Sequence, residues 1–87
     1  MTAVAKLANS FVETSIDAEV VLMRLSDGDF FSLDGTAVAV WQAIDGDRDR
    51  AEIVAAVGEQ FGEAAGVVAA DVNAFLDELA AAGVIAG

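Results

Sequence analysis

Cysteine, histidine, proline and tyrosine are all missing from the 87 residues of this chain. Without cysteine there is no disulfide, thiolate nucleophile or cysteine-based zinc or iron–sulfur site. Without histidine, the commonest general base and the commonest transition-metal ligand are gone. Basic residues are nearly as scarce: four Lys and Arg face fifteen Asp and Glu, a net charge of −11. That balance repels phosphate backbones and anionic membrane surfaces, so neither nucleic acid nor a membrane is an expected partner. No apolar run approaches the roughly 18 residues of a membrane span. The opening MTAVAKLANS lacks the apolar centre of a secretory signal. The expectation is a cytoplasmic chain with no cofactor and no metal. Carboxylates, one lysine and hydroxyls are thin material for catalysis, and we read the chain as a non-enzyme.

What is present points to one small folded domain. Hydrophobic residues make up 56% and charged residues 22%, a globular composition. A chain of this length buries only about 60–65% of the surface its unfolded form exposes, so its core must be economical. Residues 1–10 show no apolar period and read as a flexible N-terminal tail, leaving 11–87 as the single domain. Short strands rich in Val, Ile, Leu and Phe are expected at Phe11–Ile16, Val20–Leu25 and Phe30–Leu33. Asp17-Ala18-Glu19 and Ser26-Asp27-Gly28-Asp29 link them, and Asp27-Gly28 is the stronger hairpin signal because Gly tolerates positive φ. Sequential strands with short links imply an antiparallel meander.

After Leu33 the apolar spacing becomes helical. Asp34 or Thr36 can cap a first helix that carries Ala37, Val40, Trp41 and Ile44 on one stripe and closes at Gly46. Asp49 with Glu52 resembles a capping box for a second helix, with Ile53, Val54, Val57 and Phe61 inward and a stop near Gly62. A third helix from about Gly66 lines up Val68, Val72, Phe75, Leu76 and Leu79, with Gly83 as C-cap and Val84-Ile85 folding back. The expected architecture is α+β and winged helix-turn-helix-like: a three-stranded antiparallel sheet followed by three helices.

Several motifs have simpler readings than the chemistry they suggest. Asp45-Gly46-Asp47-Arg48-Asp49 begins like a calcium loop, but the sixth and twelfth positions are Arg50 and Ala56 where Gly and Glu are required. Asp17, Glu19, Asp27 and Asp29 serve turns and solubility, and no nucleophile or ligand set accompanies them. Phe31-Ser32-Leu33 lies in a strand, unlike the Asp-Ser-Leu of acyl carrier proteins. A winged helix would place its third helix on DNA, yet no Lys or Arg follows Arg50, and Asp71, Asp77 and Glu78 lie on that helix. The strand Asp29-Phe30-Phe31-Ser32-Leu33 remains. Alternation puts Phe31 and Leu33 on the core face and Phe30 with Ser32 on the other. As the last strand of a meander it is an edge without the Lys or Pro that usually blunts one, and it can dock an extended peptide by strand addition. The alternative is an acidic winged-helix module that binds a folded partner.

The run Val20-Val21-Leu22, Asp27 to Leu33, and Trp41-Gln42-Ala43-Ile44-Asp45-Gly46 resembles the PqqD-like family. So does Ala70-Asp71-Val72-Asn73-Ala74-Phe75-Leu76-Asp77-Glu78-Leu79 with Ala82-Gly83-Val84-Ile85, and the likeness covers about residues 11–86. The resemblance implies a peptide chaperone, or precursor-peptide recognition element. Such a protein binds the leader of a ribosomally made precursor peptide and presents it to a modifying enzyme, such as a radical SAM enzyme or a leader peptidase. In that family the leader adds an antiparallel strand to the third strand, in a groove closed by the third helix. Carried onto this chain, the peptide site is Asp29, Phe30, Phe31, Ser32 and Leu33 with Val68, Asp71, Val72 and Phe75. Asp71 falls at an acidic position common in the family, where it could meet a leader Lys, Arg or backbone amide. Phe30, Val68, Val72 and Phe75 would supply apolar pockets.

Overall fold

A computed structural model describes residues 2–87. In chain order the elements are β1 (Ala5–Lys6), β2 (Phe11–Ile16), β3 (Glu19–Arg24), β4 (Phe30–Leu33), α1 (Thr36–Ala43), α2 (Arg50–Phe61), α3 (Ala65–Ala81) and β5 (Ile85–Ala86). Strands β2, β3 and β4 form an antiparallel sheet in that order, and β1 pairs with β5 in a separate two-stranded ladder. The expected α+β, winged-helix-like plan is the observed one.

Each turn has a local cause. The β3–β4 hairpin closes with Gly28 at φ +75°, its N–H donating to Arg24 C=O while the Arg24 N–H donates to Asp29 C=O, both at 2.8 Å. This is a one-residue bulge that needs a left-handed residue at Gly28. The Arg24 guanidinium grips the Asp27 carboxylate across the turn. Helix α2 starts at the expected capping box: Asp49 Oδ1 accepts from Glu52 N at 2.9 Å, and Glu52 Oε1 accepts from Asp49 N at 3.2 Å. It ends on Gly62, left-handed at φ +67°.

One face of the sheet packs against the helices. Leu22, Val20, Leu33 and Phe11 join Val40, Trp41, Ile53, Val57, Val72, Leu76 and Leu79 in a single core. Trp41 is fully buried, with Phe11 edge-on at 5.3 Å, Lys6 Nζ 4.4 Å over its ring and its indole N–H donating to Glu13 Oε1 at 3.1 Å. Arg50 joins α2 to α3 through Asp77 at 2.7 Å and the Asn73 carbonyl at 3.3 Å.

Three expectations need correction. The reading of residues 1–10 as a flexible tail does not fit the residues described, while its first residue, Met1, lies outside them. Val4 is 0% exposed, its N–H donates to Arg48 C=O at 2.8 Å, and Ala5–Lys6 pairs with Ile85–Ala86. A two-residue strand has no period to detect, and its partner lies at the far end of the chain. Phe61, expected inward, is exposed, because the left-handed Gly62 turns the chain away just where the stripe would continue. Helix α1 is capped by neither Asp34 nor Thr36 side chain: Gly35 holds the N-cap position, and the helix stops before Ile44. Gly46 instead donates its N–H to Val4 C=O at 3.1 Å.

Candidate peptide-binding edge and groove

The register of β4 decides which backbone groups are available. Val20 faces Leu33, Val21 faces Ser32, Leu22 faces Phe31 and Met23 faces Phe30. In an antiparallel ladder, hydrogen-bonded pairs alternate with non-bonded ones. The Arg24–Asp29 bond fixes the phase, so Phe31 and Leu33 spend their N–H and C=O on β3. Phe30 and Ser32 direct theirs outward. Among the described residues strand β4 has a neighbour on one side only, so its other edge offers two donors and two acceptors in an extended row.

Beside the C-terminal end of that edge lies a small apolar pocket of about 160 Å³ lined by Thr36, Ala37, Val40, Asp71, Val72 and Phe75. Val72 is its buried floor; Phe75 is half-buried, and the Asp71 carboxylate is exposed at the rim. The pocket lies between the first turns of α1 and the middle of α3. Small residues at Thr36 and Ala37 leave room opposite the Phe75 ring.

Of the nine residues expected to bind peptide, the structure brings Asp71, Val72 and Phe75 into this pocket. Phe31 is half-buried against the core with the Arg24 guanidinium 5.6 Å from its ring centre, and Leu33 is buried. Val68 packs on the core from α3 and is not a wall of the pocket. Phe30 differs most. Its side chain, 71% exposed, stands on the sheet face turned away from the helices, so it shares no pocket with Val72 and Phe75. It lines up there with Val12 and Met23 in a row across the three strands. Asp29 lies near Arg24, 3.4 Å from its guanidinium. Thr36, Ala37 and Val40, which the sequence marks only as a cap and core positions, also line the pocket; their signal is the run of small residues opening α1.

Electrostatically the edge is acidic at both ends, but unequally. At the hairpin end Asp27 is held at about 2, below the usual 3.8, chiefly by the hydrogen bond from Arg24 and then by the Asp29 N–H. At the other end, Asp34 and Asp71 take part in none of the ion pairs among the described residues. No group of His, Cys, Asp or Glu among the described residues is arranged to hold a metal ion, and no helix among them is long and apolar enough to cross a membrane.

The sheet, the three helices and the open edge define the class: a small α+β domain of winged helix-turn-helix type whose last wing strand is unpaired on one side. The profile of the family described as "Coenzyme PQQ synthesis protein D (PqqD)" matches residues 19–85, and the chain belongs to that family. Among solved structures it is similar to "TbiB1 in Complex with the TbiA(beta) Leader Peptide", with a TM-score of 0.81 and 30% identity over 94% of this chain and 95% of that one. No curated protein sequence matches it.

Proposed function

We propose that this protein is a non-catalytic binder of the leader segment of a ribosomally made precursor peptide, which it holds by strand addition to β4 and presents to a modifying enzyme. The observation that carries the reading is the outward row of backbone groups at Phe30 and Ser32 beside an apolar pocket between α1 and α3. The similarity to TbiB1, solved with a leader peptide, supports it. An added antiparallel strand would bond to Phe30 and Ser32. Its residues opposite Phe31 and Leu33 would turn their side chains inward, toward the helices. Backbone bonds give sequence-tolerant affinity and the pocket gives selection, and a short strand held this way reaches about −8 to −9 kcal/mol.

Hydrogen exchange read by NMR tests this with synthetic leader peptides of candidate precursors. The amides of Phe30 and Ser32 should exchange quickly in the free protein and become protected on binding, while those of Phe31 and Leu33 are protected throughout. A leader that binds with the Phe30 and Ser32 amides still exchanging at the free rate would refute strand addition. The outer-face row of Val12, Met23 and Phe30, exposed at Val12 and Phe30 and half-buried at Met23, supports a second, compatible reading, in which a folded partner docks on the outer sheet face. Val12→Ser, on the same face but two strands away from the open edge, should then weaken capture of the modifying enzyme and leave leader affinity intact.

A further inference from the structure

Asp followed directly by Gly occurs three times in the chain, at Asp27-Gly28, Asp34-Gly35 and Asp45-Gly46. A Gly amide has no side chain beside it, so its nitrogen can reach the carboxyl carbon of the preceding Asp. At two of the three pairs the fold keeps both reacting groups occupied. The Asp27 carboxylate is gripped by Arg24 and accepts from Asp29 N, while Gly28 N–H donates to Arg24 C=O at 2.8 Å. The Asp45 carboxylate accepts from the N–H groups of Asp47 and Arg48, both at 2.9 Å, and Gly46 N–H donates to Val4 C=O at 3.1 Å. Asp34-Gly35 is the exception. Among the described residues the Asp34 carboxylate takes part in no ion pair, and it does not cap α1 although it stands one residue before the N-cap. Gly35 N–H likewise donates to no backbone carbonyl among them. Both residues are exposed, and a Cβ placed on Gly35 would meet nothing within 4 Å.

From this contrast we infer that Asp34-Gly35 is a self-modification site, at which the chain converts Asp34 to isoaspartate. Gly35 N attacks Asp34 Cγ, and the carboxyl hydroxyl leaves as water with the amide proton, closing a succinimide ring. Water then opens the ring. Addition at Cγ restores the original bond, whereas addition at the Asp34 main-chain carbonyl carbon routes the backbone through Cβ and Cγ, with no net change in mass. The reactive form is the neutral carboxyl, which the other two pairs disfavour. Asp27 is held at about 2, chiefly by the hydrogen bond from Arg24, and Asp45 is held below its ordinary value, chiefly by the Asp47 N–H and then the Arg48 N–H. The product adds one methylene to the main chain between β4 and α1. It also turns the Asp34 carbonyl, which accepts from Ala37 N at 3.1 Å, into a free carboxylate. Thr36 and Ala37, next along the chain, wall the pocket beside the open edge. Resting on the strand-addition reading above, isomerisation therefore retires the groove, and aged protein loses leader affinity.

Trypsin releases Leu25–Arg48 as one fragment that carries all three pairs, so electron-transfer fragmentation compares them within a single peptide. After warm, mildly acidic storage of the full chain, isoaspartate should accumulate at 34 about tenfold or more faster than at 27 or 45, where two hydrogen bonds must first break. In denaturing urea the three rates should converge, since only the fold separates them. Equal rates in the native protein, a faster rate at 27 or 45, or a preference for 34 that survives in urea would overturn the inference. Asp34→Glu keeps the charge but closes a larger ring far more slowly. It should stay unmodified at 34 and hold its initial leader affinity through the same storage, while wild type loses affinity in proportion to its isoaspartate. Wild type that carries isoaspartate at 34 and binds leader as tightly as when fresh would overturn the effect on the groove. The mapping uses no peptide, so its failure is distinct from that of strand addition, which fresh protein tests through the Phe30 and Ser32 amides.

Discussion

Replacing Ser32 with proline removes one N–H from the open edge of β4 and leaves the ladder to β3 whole. The register makes this possible. Ser32 lies opposite Val21 in a non-bonded pair, so its N–H has no partner in β3, whereas those of Phe31 and Leu33 do. Proline is tolerated in an edge strand where the missing N–H faces solvent. The edge offers two donors and two acceptors, and each net backbone bond is worth about 0.5–1.5 kcal/mol. Losing one bond, and holding the incoming strand away with the pyrrolidine ring, should cost about 1–3 kcal/mol of binding, or roughly 5- to 150-fold in Kd. Phe31→Pro is the control, because it breaks a ladder bond to β3 and should unfold the hairpin, a cost of about 3 kcal/mol or more. The assay is a fluorescence-anisotropy titration of a labelled leader, with urea unfolding of each variant in parallel. A folded Ser32→Pro protein that binds leader with unchanged affinity would refute the reasoning, since the deleted donor is one the added strand must use.

Three further outcomes test the structure away from the groove. Val4→Ala should lower stability by about 2 kcal/mol in urea unfolding, because two buried carbon groups are lost and a cavity remains; no change would restore the flexible-tail reading. Gly58→Ala should destabilise by about 1–3 kcal/mol although it lies inside α2, where alanine normally helps. An added Cβ would stand 2.8 Å from the Glu63 carbonyl oxygen, and a rise in melting temperature would contradict that close approach. The Asp27 carboxyl should titrate near 2 by carbon-detected NMR, and because its folded value is depressed, the stability it contributes is complete above 3.8 and fades as the pH falls toward 2. Asp27→Asn should flatten that part of the acid-stability curve, and a midpoint at 3.8 would exclude the Arg24 contact.

Much of the fold was legible because its signals are local. Asp27-Gly28 specified a turn that needs a left-handed residue, and Asp49 with Glu52 specified a helix start that satisfies two otherwise orphaned donors. Alternation in Phe30-Phe31-Ser32-Leu33 placed Leu33 in the core and Phe30 in solvent. Features that depend on distant partners were not legible. The Val4 strand is ordered by Arg48, Gly46 and the Ile85 segment, none of which leaves a mark on residues 1–10. Phe61 continues the helical stripe correctly, but the core ends before the helix does. Asp71, Val72 and Phe75, expected from α3 periodicity and family likeness, do line the pocket, while its α1 side is not legible because Ala37 and Val40 look like ordinary core positions. What makes them a wall is a vacancy opposite Phe75, and the sequence cannot show a vacancy.

The short ladder of β1 and β5 also has a kinetic side. It pairs Ala5 with Ala86 and so joins nearly the whole chain into a ring. Closing a loop of about eighty residues costs on the order of 4 kcal/mol of chain entropy, far more than two residue pairs return by themselves. The ladder can therefore close only after the meander and the three helices have brought its two halves together, so it should be absent from the folding transition state. Weakening it, at Lys6 or Ile85, should leave the refolding rate nearly unchanged and appear as faster unfolding. The ladder works as a clasp on the finished domain, governing how long the native state lasts and not how quickly it is reached.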